Sequence, residues 1–378
     1  MKKICTTHTL SLYSSKQLEE YFGGMRIGIF DIETLGLNPT VSPMILAGFM
    51  SMDGKNQYTI TQYFAQTPDE EIEILNHLKE DFKKVDYLLT FNGKHFDMPF
   101  VAKRAYNNMV FDIETNLYNL DLYLILNGHS EVKHVLENLK QKTVEKYMGL
   151  SDGREDAISG AESIVLYETY SRCKDQKKKE DLEDKILLHN HDDLLQLAQI
   201  LPIVKQANIH KAFYSLGFPV LVLSGWPTLN ISSIKQGVTG LNVKGTYYGE
   251  PFNYAAFETV QSPFSCEFKD DKTFNFSFHT DKHKGNIFIN LPMYFKNHDV
   301  LKKYPNYIKN FLLISDSKSV NHLEVNMFLK MFFTKFMEDS ICPLMTLYKI
   351  KRSLLGSVLK ANAFYYPIIL LISSIYSL

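Results

Sequence analysis

An apolar run, MRIGIF at Met25–Phe30, stops at Asp31. A run this short and this apolar is buried on both faces, as strands inside a covered sheet are. The turn cluster GLNPTVSP follows, then two more strand-like stretches, MILAGFMSM and QYTITQYF. PDEEIEILNHLKEDF carries apolar residues at helical spacing behind an acidic first turn, VDYLLTFN is another buried strand, and PFVAKRAYNN begins a helix. Strands alternating with helices predict an α/β unit built on a mixed sheet. Ahead of it, Tyr13–Phe22 reads as a short capped helix.

From Asn138 to about Lys205 the pattern is helical, and the charge run CKDQKKKEDLEDK reads as a solvated face between helices. Beyond Asn208 the character changes. LNVKGTYYGEP, KTFNFSFHTD and GNIFINLP are short strand patterns, with Phe274, Phe276 and Phe278 alternating with polar residues, and VNMFLKMFFTKFMEDSICPLMTLYKIKRSLL reads as helices. The expected organisation is an N-terminal segment (1–24), an α/β domain (25–207), a smaller α+β domain (208–355) and an apolar tail (356–378). A length of 378 residues with 45% hydrophobic content supplies two such cores.

A net charge of −1 excludes a broad basic field, so any grip on nucleic acid must come from a local groove. The four cysteines lie far apart without CxxC spacing, which excludes a zinc site or a disulfide framework and fits a reducing cytoplasm. No signal-peptide pattern opens the chain. The uncharged stretch 361–378 contains Pro367 and three serines, and we expect a buried terminal segment or an atypical tail in a cytoplasmic protein rather than a membrane anchor.

The pentapeptide FDIET occurs twice, at Phe30–Thr34 and Phe111–Thr115. The first copy ends a strand, so Asp31 and Glu33, two apart, project from one face and suit one metal ion. The second copy has no strand before it, and Asp112 and Glu114 are expected in a loop or cap. Downstream, TFNGKHFDMPF places Asp97 between Phe96 and Pro99, where a carboxylate is costly to ionise without a cation or hydrogen bonds. In the helix ILLHNHDDLLQLAQIL, at about 100° per residue, Asp193 sits at the edge of the stripe formed by Ile186, Leu194, Leu197 and Leu201. His189 lies one turn back on the same face, while Asp192 and His191 are expected at the surface. Asp31, Glu33, Asp97 and Asp193 together would repel one another, which two hard divalent ions, Mg²⁺ or Mn²⁺, resolve.

Strand–DIET–GLNP, then FNGKHFDMPF, then HNHDDL resembles the DEDD 3′–5′ exonucleases of the ribonuclease-H-like superfamily, over roughly Arg26–Leu201. NLDLYLIL, LKQKTVEKYMGL and REDAISGAESIVLYETY extend the resemblance to the bacterial YprB-type family. The resemblance implies a ribonuclease-H-like sheet and two-metal hydrolysis of phosphodiesters. Asp31 would bridge both ions, Glu33 and Asp193 would complete the site that activates water, Asp97 would hold the second ion, and His189 would orient or deprotonate the water. One branch of the superfamily has Tyr at the His189 position, and the other has His at the position of Leu188; this chain follows neither.

The implied substrate is the 3′ end of single-stranded DNA or RNA, with DNA favoured. Candidate contacts are Thr34, Asn92, Phe96, Arg104 and Lys140, joined by Lys94, Lys103 and Lys142 for phosphate and by Pro99 and Phe100 for the terminal base. Two rivals remain: a silent ribonuclease-H-like binding module, and an endonuclease on RNA–DNA hybrids.

Overall fold

The computed structural model describes residues 1–54, 56–150, 158–222, 228–237, 240–259, 262–316 and 318–344. The tail expected at 356–378 lies outside the described residues. Among those described, no helix is long and apolar enough to cross a membrane.

The first sheet contains β1 (Lys2–Thr9), β2 (Ile27–Thr34), β3 (Met44–Gly54), β4 (Gln57–Phe64), β5 (Tyr87–Thr90) and β6 (Tyr118–Asp121), in the order β1-β4-β3-β2-β5-β6. The β2–β5 and β5–β6 pairs are parallel and the others antiparallel, giving the mixed sheet that the alternation predicts. β2 sits inside the sheet, and its unbroken apolar run fits burial on both sides. Phe30 and Ile32 point into a core with α2 (Glu71–Phe82) and α3 (Asp97–Asn107). Strand alternation therefore sends Ile29, Asp31 and Glu33 to the opposite face.

That opposite face is covered by a long helix. Between β6 and that helix come α4 (Leu122–His129), α5 (Val132–Val135), α6 (Gln141–Tyr147) and α7 (Gly160–Arg172). The cover itself is α8 (Gln176–Ile200), which Asp175 caps by accepting from the Lys178 amide at 2.9 Å. The charge run expected to link two helices is mostly the first turns of α8: six of its residues, from Gln176 to Asp181, precede the first buried one, Leu182.

One further reading is corrected. β1 belongs to the sheet, pairing with β4 from Lys2↔Phe64 to Thr9↔Gln57, although the segment 1–24 was expected outside it. An edge strand with one solvated face needs few apolar residues, and KKICTTHT has few. The N-terminal helix is α1 (Lys16–Phe22), capped by Ser15.

After α9 (Ile209–Leu216) comes a second, antiparallel sheet. It contains β7 (Phe218–Val220), β8 (Leu229–Gln236), β9 (Gly240–Tyr247), β10 (Tyr254–Ala256), β11 (Phe264–Phe268) and β12 (Thr273–His279), in the order β10-β11-β12-β9-β8-β7. A small four-stranded sheet follows, of β13 (Asp281–His283), β14 (Asn286–Asn290), β15 (Tyr307–Ile308) and β16 (Phe311–Ser315). The alternating phenylalanines of β12 face α10 (His322–Phe336): the Phe278–Phe332 and Phe276–Phe333 ring centroids are 4.7 and 4.8 Å apart, edge-on. One apolar cluster runs from Ile29 and Leu120 of the first sheet through Phe213 to Phe276 and Phe333.

Candidate active site

The acidic residues gather where β2 ends against α8 and the start of α3. Asp31 is half-buried, and Glu33 and Asp97 are buried. α8 presents His189, whose Nε2 lies 3.5 Å from Glu33 Oε1 and 3.6 Å from Asp193 Oδ2. Ligand atoms of Glu33, His189 and Asp193 all fall within 4.8 Å of one another. The pairing of His189 with Asp193 across one helical turn is the one expected from the sequence.

Electrostatics joins the rest. Burial pushes the Asp31 carboxyl well above the usual range, and the negative charges of Asp193, Asp97 and Glu33 push it further. Asp97 rises to about 8, first through burial and then through Asp121 and Glu33, against backbone amides of Ile32 and of Asp97 itself. Asp31, Glu33, Asp97 and Asp193 are thus near enough to feel one another, as four carboxylates sharing a site must. Carboxylates joined by one imidazole are donors that a divalent ion accepts, and such an ion would remove the repulsion that raises these carboxyls.

Several residues here escape sequence reasoning. Asn190 is fully buried and donates from Nδ2 to Asp31 Oδ2 at 2.8 Å, lowering the Asp31 pKa against the other influences. Its Oδ1 accepts from Gln62 Nε2 at 3.0 Å, and the same amide donates to Leu187 O at 2.8 Å, so Gln62 of β4 sets the amide's orientation. Gly48 of β3, the partner of Asp31 in the ladder, makes room: a Cβ there would stand 2.2 Å from Asn190 Oδ1. Gln141 of α6 donates to Asp193 O at 2.9 Å. Asp121 ends β6 and accepts from the amides of Asn92 at 2.8 Å and Lys94 at 3.0 Å, while capping α4 through Leu124 at 3.3 Å. Asp121 therefore shapes the loop that delivers Asp97. The available signal was Asp121 itself, the acid inside the short apolar stretch NLDLYLIL.

The surface expected for Asp192 and His191 is not there. Asp192 is 3% exposed, and His191 packs on β1, with 2.9 Å between its Nε2 and that of His8. β1 and β4 cover the side of α8 that a two-sided helix would leave wet.

The candidate nucleic-acid residues divide. Asn92 is half-buried at φ 67°, in the turn before Asp97, and Phe96 is half-buried with its ring 5.5 Å from that of Phe100. Lys140 is exposed at the start of α6. Thr34 is buried and donates to Gly36 O at 3.0 Å. Arg104 is corrected: its guanidinium forks Glu71, with Nη2–Oε2 at 2.5 Å and Nε–Oε1 at 2.8 Å, and also donates to Pro39 O. A side chain 12% exposed and so engaged fastens α3 to α2 and is not a phosphate contact. Phe100, 1% exposed, is core and offers no stacking face, whereas Pro99 is exposed. Lys103 lies over the Tyr106 ring at 5.2 Å, and Lys142 donates to Ile158 O.

The second FDIET copy is a loop, as expected. Asp112 adopts φ 62°, is 89% exposed and lies 3.7 Å from Lys79, while Glu114 pairs with Lys272 at 3.2 Å.

Residues 29–204 match the family model described as RNase_H superfamily, a span that holds Asp31, Glu33, Asp97, His189 and Asp193. The mixed sheet flanked by helices is the ribonuclease-H-like fold. No curated protein matches the chain. Among solved structures it is similar to the family B DNA polymerase of the hyperthermophilic archaeon Pyrobaculum calidifontis, at 18% identity and TM-score 0.37, over 50% of this chain and 26% of that one. An exonuclease I matches at 11% and 0.33, over 58% of this chain and 55% of that one. A moderately thermophilic exonuclease I from Methylocaldum szegediense matches at 13% and 0.28, over 58% and 54%. The chain thus spans about a quarter to just over half the length of these structures.

Proposed function

We propose that this protein is a metal-dependent 3′–5′ exonuclease that hydrolyses single-stranded nucleic acid, DNA in preference to RNA. The observation that carries the reading is the convergence of Asp31, Glu33, Asp97 and Asp193 on one another with His189 between Glu33 and Asp193. All four carboxylates are retained, which speaks against a silent binding module.

Asp31, Glu33, Asp97 and Asp193 would hold two Mg²⁺ or Mn²⁺ ions, which when bound supply charge neutralisation and acidify water. The remaining work falls to the chain. Asn190 holds the Asp31 carboxylate in one rotamer, and Gln62 holds Asn190. His189, 3.5 Å from Glu33 and 3.6 Å from Asp193, would align a water for in-line attack on phosphorus and take its proton. The bond from phosphorus to the departing 3′ oxygen then breaks, and that oxygen takes a proton. Asn92 and Phe96, in the turn that carries Asp97, would contact the terminal nucleotide, with Thr34 beside them and Lys140 at the rim.

The test is a gel assay with 5′-labelled single-stranded DNA and matching RNA, in Mn²⁺, Mg²⁺ and EDTA, beside Asp31→Ala and Asp193→Ala proteins. A ladder shortening from the 3′ end, metal-dependent and lost in both variants, is expected. Absence of products from either strand, with wild type and variants retaining oligonucleotide equally, would favour the binding module.

A further inference from the structure

Where α1, α9 and α10 meet, the direction of every hydrogen bond in one buried contact is fixed. Tyr21 of α1 and Asn326 of α10 are fully buried, and His210 of α9 is half-buried. Asn326 Nδ2 donates to His210 O at 2.9 Å and to the Tyr21 hydroxyl at 2.9 Å. Turning this amide over would set its oxygen against the His210 carbonyl, so the nitrogen has to face both. The Tyr21 oxygen therefore accepts from Asn326, and its own proton needs another taker. Among the described residues its other partner is His210 Nδ1, at 2.8 Å. Nδ1 is thus an acceptor, the ring is neutral, and its proton sits on Nε2.

A second proton on His210 has only Nδ1 to go to, and it turns that acceptor into a donor. The Tyr21 hydroxyl would then hold a proton with no acceptor, walled in by the Phe213 and Phe218 rings at 4.3 and 5.4 Å. Both halves of the chain feel the loss. Next to Tyr21, the Phe22 ring of α1 lies 4.5 Å from Tyr87 of β5, while α10 carries the phenylalanines that pack on β12.

The surrounding charges do not offset this. Burial holds His210 below the ordinary histidine range, although Glu20 of α1 and Glu324 of α10 pull it upward. Glu324 is engaged by Asn306, and Lys330 of α10 donates to the Glu20 and Tyr21 carbonyls. His322 of α10 is held down by burial, then by Lys211, His129 and His210. His129 of α4 is held down by burial, then by Lys211 and Lys133. Acid therefore charges three imidazoles around one joint that already carries two lysines.

We propose that His210 is a pH-sensitive latch: neutral, it fastens α1 to α9 and α10 through Tyr21 and Asn326, and protonated it releases α10 and loosens the joint between the two sheets. The latch is independent of the exonuclease reading. In an opened joint His210 regains the ordinary value of about 6.5, above its value in the closed one. The opened form then binds more protons, so the closed joint is fully stable above that pH and is lost as pH falls. Asp97 contributes with the opposite sign, but it is the same in wild type and in a His210 variant and drops out of their difference.

Hydrogen exchange by mass spectrometry on the full chain reads the joint at about pH 7.5 and about pH 5.5, either side of the ordinary histidine value. After correction for intrinsic exchange, wild-type peptides of α1 and α10 should exchange about tenfold faster at the lower pH. Peptides of α2, in the separate core behind the first sheet, should not change. His210→Asn places an oxygen near Nδ1 that accepts from Tyr21 and cannot take a proton, so its α1 and α10 should stay protected at both values. An imidazole NMR titration of wild type decides the matter even where that variant does not fold. His210 should titrate below the ordinary histidine value, and Tyr21→Phe, which removes the stranded proton, should move it upward. Unchanged exchange in wild type, equal acceleration in wild type and His210→Asn, or a His210 titrating at or above the ordinary value overturns the latch.

Discussion

Asn190 and Asp31 form the contact on which the cluster's geometry turns, a hydrogen bond of 2.8 Å from a fully buried amide to a half-buried carboxyl. Asn190→Ala removes the donor that favours the ionised Asp31, and such bonds contribute on the order of 1.5–3 kcal/mol. Steady-state assays should therefore show turnover about ten- to a hundredfold lower in Asn190→Ala, with the fold retained, whereas Asp112→Ala in the exposed second FDIET should stay within about twofold of wild type. A dead Asp112→Ala enzyme would mean that the wrong copy has been assigned. The carboxyls also predict a pH dependence. Asp97 keeps its proton in the folded, metal-free protein up to about pH 8, whereas an unfolded chain releases it near about pH 4. Between these values the folded state binds more protons than the unfolded one, so stability falls as pH rises. Thermal melts in EDTA should show Tm declining from about pH 5 to 8, and Mn²⁺ should raise Tm more at the upper end, where it meets ionised ligands. A metal-induced rise independent of pH would count against these carboxylates as the ligands. The charged members of this cluster were legible in the sequence because acids after apolar runs stand out. Asn190 and Gln62 were not, because a neutral amide looks the same on a surface as in a site.

At the scale of elements, α8 is held against the sheet where β3 has no side chain, at Gly48. A Cβ at Gly48 would stand 2.2 Å from Asn190 Oδ1 and 2.6 Å from Leu194 Cδ1, so Gly48→Ala must push α8 outward. Overpacking of this kind costs about 1–3 kcal/mol. Gly48→Ala should lower the melting temperature and reduce turnover together, and an unchanged melt would show that α8 has slack there. The strands and helices from β2 to α3 could be read directly, since buried strands are continuous apolar runs and the helices carry a clear stripe. β1 and the start of α8 were obscured for one reason: both are solvated, β1 along one face and α8 before Leu182. Apolar periodicity reports burial, and it falls silent where an element extends past the core. The error over Asp192 and His191 is the converse. A helix was assumed to have one dry face, but the unforeseen β1 brings His8 against the other.

For the molecule as a whole, the second sheet is joined to the first through buried contacts rather than a linker. Tyr118 of β6 donates to Gly217 O at 2.8 Å, Asn230 reaches Asn116 O, Lys272 pairs with Glu114, and Tyr21 of α1 accepts from Asn326 of α10 at 2.9 Å. The apolar cluster crosses with them, since Tyr118, Leu122 and Ile125 share it with Phe213, Phe218 and Phe333. The change in sequence character after Asn208 marked where the second sheet begins, but long-range contacts of this kind leave no local pattern. A chain ending at residue 207 would expose that shared surface, including the face of α1 on which Phe213 and Phe218 pack against Tyr21 at 4.3 and 5.4 Å. Large exposed apolar patches drive association. Residues 1–207 alone should therefore aggregate or melt well below the full chain, although they carry every residue of the acidic cluster. Calorimetry of the full chain should show one transition rather than two. Two resolved transitions, with a monomeric 1–207 fragment that melts at the temperature of the first, would mean that the halves are held by their linker after all.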